Sequence, residues 1–130
     1  MGTITDDMKQ LVDKVRLAHV ATCSKDGVPN VSPKGSIRNV DDNTIVFGGG
    51  VEGKTYQNLK ENPNIAVEIT EKETYKSFQF KGTATLETST GLYDMMAEDF
   101  TSRGRPRPAY VVRINVEEVY VNPPGSKVEA

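Results

Sequence analysis

The segment Gly48-Gly49-Gly50-Val51-Glu52-Gly53-Lys54-Thr55 gathers residue types that could do chemistry with an anion. Before it, Thr44 to Phe47 is short, β-branched and aromatic. After it, Lys54 to Asn62 has the make-up of a short helix closed by Asn62-Pro63. A strand, a glycine loop and a helix start thus follow one another. The first turn of a helix exposes unsatisfied N–H groups and the positive end of the helix dipole, roughly half an elementary charge, and glycines let a ligand approach the backbone. Lys54 adds a full charge and Thr55 a hydroxyl donor. Lysine at a helix start is electrostatically unfavourable unless an anion compensates it, so the pattern points to a bound phosphate.

Two other readings compete. In the plainest, three glycines make a tight loop and Lys54 is a solvated helix-start residue. The letters also satisfy G-x-x-x-x-G-K-[ST], the P-loop of nucleoside-triphosphate binders. Context opposes the P-loop. Such a loop normally follows the first strand of a parallel sheet, whereas about three strands in hairpin order precede this one. The strands after it do not end in a magnesium-holding aspartate, and the chain beyond Thr55 is short for a nucleotide-hydrolysing domain. A P-loop nucleotide binder stays as a remote alternative.

The elements that must hold this loop follow from periodicity. Ile4, Met8, Leu11, Val12 and Val15 recur at three- and four-residue steps, and Thr3 or Thr5 can cap the first turn, so residues 5–17 read as an amphipathic helix. Ala18 to Ser24 and Val28 to Ile37 read as a hairpin turned by Lys25-Asp26-Gly27, and Thr44 to Phe47 is a third strand after Asp41-Asp42-Asn43. Asn64 to Thr70, Ser77 to Leu86 and Ala109 to Val121 are three more, the last running into a Pro-Pro-Gly tail. Leu92, Met95, Met96 and Phe100 mark a further helix, and Arg103 to Pro108 holds no regular structure. Six strands joined mostly by short turns exclude a doubly wound parallel sheet, which needs long crossovers. The fold class expected is mainly β: a six-stranded antiparallel barrel with short helices, forming one domain over residues 1–130.

Composition narrows the partners. The chain has 130 residues, 36% apolar and 26% charged, with 16 Lys plus Arg against 18 Asp plus Glu and a net charge of -2. No long single-sign block is present, which argues against nucleic acid. The apolar runs fall far short of the ~20 residues that cross a bilayer, and the polar start does not resemble a signal peptide, so a cytoplasmic protein without membrane attachment is expected. Cys23 is the only cysteine and His19 the only histidine. Too few ligands lie together for a metal site, so no metal is expected. Structural roles are favoured for both residues, and for Met95, Met96 and Phe100 as helix core. Arg103, Arg105 and Arg107 read first as a solvated loop, although the cluster could attract an anionic substrate or a phosphate.

From Val20 to Glu87 the chain resembles the pyridoxamine-phosphate-oxidase-like FMN-binding split-barrel family, in its short FMN-binding branch. The resemblance is carried by Ala21-Thr22-x-x-x-Asp26-Gly27-x-Pro29, Val31-Ser32-Pro33, Ile45-Val46-Phe47 with its glycine loop, Lys54-Thr55, Asn62-Pro63-x-Ile65-Ala66-Val67 and Phe80-Lys81-Gly82-x-Ala84. It implies a split β-barrel that dimerises with itself and binds flavin mononucleotide (FMN) between subunits. By position, Lys54 and Thr55, aided by Gly49 and Gly50, would hold the FMN phosphate. Ser32, Pro33, Lys34 and Gly35 would line the isoalloxazine ring, and Ser77 and Gln79 would supply polar contacts to the flavin. The chain departs from the vitamin-synthesising oxidases in having a single Lys followed by Thr where they carry an Arg-Lys pair, and in having no Trp.

The resemblance implies an FMN-dependent oxidoreductase or electron-transfer protein, in which the flavin carries the electrons and the protein supplies orientation and exclusion of solvent. No catalytic side chain is assigned, and the small-molecule substrate or redox partner is unspecified. An FMN carrier or sensor without turnover, or the same barrel holding deazaflavin or haem, are the alternatives.

Overall fold

The computed structural model describes residues 3–51, 53–122 and 126–127. Helix α1 (Asp6–Val15) starts where Thr5 Oγ1 accepts a hydrogen bond from the Met8 amide, with Asp6 and Asp7 in the first turn. It stops at Arg16, which adopts the left-handed conformation. Met8, Leu11 and Val12, with Ile4 before them, bury the predicted stripe against the barrel core.

Strands β1 (Ala18–Cys23) and β2 (Pro29–Lys34) form the expected hairpin; Ser24 Oγ accepts from the amides of Asp26 and Val28 to close its turn. The strand expected from Val28 to Ile37 ends at Lys34, and a further strand that was not expected follows it. After β2 the chain bends at Gly35 and resumes as β3 (Arg38–Asp41), paired with β4 (Thr44–Gly49) instead of β1. Ser36 and Ile37 are both buried, which breaks strand alternation. The Ser36 hydroxyl accepts from Gly48 N at 3.1 Å and lies 3.3 Å from Gly48 O, donating to it, so it pins the bend to the end of β4.

Helix α2 (Lys54–Glu61) stops at Asn62 as expected, followed by β5 (Asn64–Thr70), β6 (Ser77–Glu87), α3 (Gly91–Ser102) and β7 (Tyr110–Asn122). A two-residue strand β8 (Ser126–Lys127) pairs with β7. The expected Pro-Pro-Gly tail lies outside the described residues. Seven main strands, one more than expected, make a split barrel in the order β2-β1-β5-β6-β7-β4-β3. All described pairings are antiparallel, so the parallel sheet to which a P-loop belongs is not the scaffold here.

The interior is filled by Val20, Ile45, Phe47, Val67, Phe80, Val112 and Ile114, each fully buried. A smaller cluster joins α3 to the outside of β4 and β7 through Tyr93, Met96, Ala97 and Phe100 against Val46 and Val111. Met95, expected in that core, is instead 48% exposed, because it lies on the opposite side of α3. Among the described residues no helix is long and apolar enough to cross a membrane.

Candidate functional site

The end of β4 is the pivot of the site. Residues Thr44 to Phe47 are held between β3 and β7, and Gly48 and Gly49 finish the β7 ladder opposite Val111 and Tyr110. A Cβ on Gly49 would lie 2.8 Å from the Tyr110 hydroxyl, so the close approach of that ring requires glycine here. The chain then crosses to Gly53, whose φ of 91° suits glycine and begins α2. No side chain caps this helix, and Lys54 at its first position makes no ion pair among the described residues. Glu52 lies outside the described residues. Thr55 is buried, and farther along α2 Asn58 donates to Thr22 Oγ1 at 3.1 Å, which ties the helix to β1.

A cavity of about 570 Å³ opens beside this loop. Pro33, Lys34, Gly35 and Ser36 form one wall, Gly48 to Val51 the next, and Phe100 with Arg105 to Ala109 the third. Three sequence-distant segments meet there because the Ser36–Gly48 hydrogen bonds hold the first against the second, and the Ala109 amide donates to Gly49 O at 2.9 Å to hold the third. The arginine loop is ordered by its own contacts. Tyr93 donates to Pro108 O at 2.7 Å, the Arg105 guanidinium stacks 4.6 Å from the Phe100 ring centre, and that of Arg107 lies 5.6 Å from the Tyr93 ring.

The cavity is electropositive. Lys34, Arg105 and Arg107 line it, none in an ion pair among the described residues, and no described lining residue is acidic. Burial pulls the Lys34 ammonium below its ordinary value, as expected for a cation without a carboxylate to offset desolvation. Arg103, in contrast, turns away to Asp99, which also pairs with Arg38; burial alone would raise the Asp99 carboxyl, but the two guanidinium groups hold it below its usual range.

Of the residues the sequence nominated, Pro33, Lys34, Gly35, Gly49 and Gly50 line this one cavity, and Lys54 and Thr55 begin the helix just beyond its glycine wall. Ser32 is on the inward side of β2, opposite Val20. Ser77 and Gln79 are on β6, outside the cavity wall. Gln79 belongs to a row across the outer sheet face, Pro33–His19–Glu68–Gln79, formed by direct cross-strand pairs. His19 Nδ1 is 3.3 Å from Glu68 Oε1 in that row. The next row is Val31–Ala21–Ala66, with Val31 66% exposed. Phe100 is buried helix core as expected and also lines the cavity, as do Arg105 and Arg107, whose sequence signal was the basic cluster itself. Among the described residues no three His, Cys, Asp or Glu side chains converge as a metal set would.

A split barrel with a glycine-lined, cationic cavity at the end of one strand defines the class. The chain belongs to the pyridoxamine 5'-phosphate oxidase family, whose profile matches residues 4–122. It is similar to HupZ of Group A Streptococcus, at 31% identity and a TM-score of 0.90 over 98% of this chain and 100% of that one. The uncharacterised protein MJ0282 of Methanocaldococcus jannaschii is 31% identical over 121 residues, which are 90% of this chain and 79% of that protein. An FMN-binding protein of Syntrophomonas wolfei shares the fold at 15% identity, with a TM-score of 0.72 over 88% of this chain and 82% of that one.

Proposed function

We propose that the chain binds FMN and acts as a flavin-dependent oxidoreductase or electron-transfer protein, working as a homodimer. The observation that carries the reading is the cavity wall of glycines and of cations that have no ion pair among the described residues, which leads into an N-terminus of α2 that no described side chain caps. An anion of phosphate type satisfies the orphan amides and Lys54 together. The residues fit the cofactor's other end as well: Lys34 and Gly35 offer a cation and open backbone where the ring system would lie. When bound, FMN supplies hydride or single-electron transfer.

The chain's own part is binding and orientation. Lys54 and the first-turn amides of α2 hold the phosphate, Arg105 and Arg107 raise the local concentration of anions, and Pro106 and Phe100 wall off water. Gln79, Glu68 and His19 on the outer face stand apart from the cavity within one protomer, and the Val31–Ala21–Ala66 row, exposed at Val31 and half-buried at the two alanines, gives that face an apolar strip for a second copy. The name of the Syntrophomonas wolfei structure accords with FMN as the ligand.

The test is direct. Purified protein should show flavin absorbance, and mass measurement of the ligand released on denaturation should give FMN; a deazaflavin or haem spectrum would replace the cofactor assigned. Lys54→Ala should weaken FMN binding by ~1.5 to 3 kcal/mol through loss of a charge-assisted contact, and unchanged affinity would reject the phosphate site. Sedimentation showing a flavin-loaded monomer would reject the dimer.

A further inference from the structure

Tyr110 opens β7 directly opposite Gly49 and is only 2% exposed. Its ring centre lies 4.9 Å from that of Tyr56, the third residue of α2, and its hydroxyl occupies the space a Gly49 side chain would need. The phenol therefore touches both ends of the glycine loop, the strand that enters it and the helix that leaves it. Yet among the described residues the buried hydroxyl has no hydrogen-bond partner. Packing alone does not explain the oxygen, since phenylalanine would fill the same core and leave no polar atom unpaired.

We propose that the Tyr110 hydroxyl is a further phosphate-binding group, donating a hydrogen bond to the cofactor phosphate seated at the first turn of α2. The inference rests on the phosphate site described above and adds a residue to it. Gly49 both touches this hydroxyl and lines the cationic cavity, so the hydroxyl lies immediately behind the cavity wall. Gly49 places no Cβ between the two. A phenol at its ordinary pKa is already a donor at neutral pH, and burial with the neighbouring Tyr56 raises this one further. A phosphate oxygen is an acceptor of the strength that would offset burial of such a donor.

Tyr110→Phe separates this role from packing, with FMN and riboflavin as probes because they differ only in the phosphate. The variant should lose roughly tenfold or more in FMN affinity, keep the wild-type affinity for riboflavin, and melt without flavin at an unchanged or higher temperature. Unchanged FMN affinity would overturn the proposal. So would equal weakening of FMN and riboflavin, or a lowered melting temperature, either of which would make the residue a packing element. Lys54→Ala run in parallel tells the two levels apart: if it weakens FMN and Tyr110→Phe does not, only this inference fails, and if neither does, the phosphate site itself fails.

Discussion

Replacing Gly49 by alanine asks whether the site depends on the contact between the glycine loop and Tyr110. The added Cβ would lie 2.8 Å from the hydroxyl oxygen and 3.0 Å from the ring carbon that bears it, both well inside ordinary van der Waals distance. The ring has little freedom to retreat, because it is buried in the barrel core and packed on Tyr56. Overpacking of this kind costs about 1 to 3 kcal/mol. With an unfolding entropy of about 2.1 cal/mol/K per residue, a chain of 130 residues should lose about 4 to 11 °C in Tm. Gly50→Ala is the control, since a Cβ there meets nothing within 4 Å. If the loop moves to relieve the clash, the cost appears as weaker FMN binding at a better-preserved Tm. Thermal unfolding and FMN titration of both variants read the two quantities. Equal values for Gly49→Ala and Gly50→Ala in both would show that the site does not depend on this contact.

Two further outcomes follow from the charges. Exchanging Arg105 and Arg107 for glutamine should weaken FMN binding at low salt by roughly twofold to fivefold each and flatten its salt dependence, because screened electrostatic attraction is what they add; titrations at several ionic strengths check this, and an unaltered salt slope contradicts it. Glu87 faces Arg113 with contacts of 2.5 and 3.3 Å, and that hydrogen-bonded guanidinium holds its carboxyl below the ordinary 4.5. A lowered folded-state pKa means that the pair's stabilisation is complete above the unfolded value and fades as pH falls through the folded one. Glu87→Gln should therefore cost about 1 kcal/mol at pH 7 and progressively less below about pH 4 in urea unfolding; a pH-independent difference would contradict the assignment.

What was legible in the sequence was local. The α1 cap at Thr5, the turn at Lys25-Asp26-Gly27 and the end of α2 before Pro63 are each dictated by residues within a turn of the feature, and all three are as expected. The glycine loop and Lys54 were recognisable for the same reason. The strand break at Gly35 was not, because the bond that fixes it joins Ser36 to Gly48, on a strand the sequence does not connect to it. The arginine loop is exposed over residues 103–107, as a solvated loop would be; its contacts with Phe100 and Tyr93 were not legible, because they belong to a helix whose orientation depends on tertiary packing. Tyr110 gave no signal at all: its position against Gly49 follows from the β4–β7 register, which composition and periodicity do not fix.

In the proposed site a phosphate docks on the first turn of α2, against Lys54. A crystal structure of the protein grown with FMN tests it most directly. Phosphate oxygens are expected within hydrogen-bond distance of the residue 54 and 55 amides and of Lys54 Nζ, with the ring system extending toward Lys34 and Gly35. Flavin bound with its phosphate elsewhere, and that turn left bare, would contradict it.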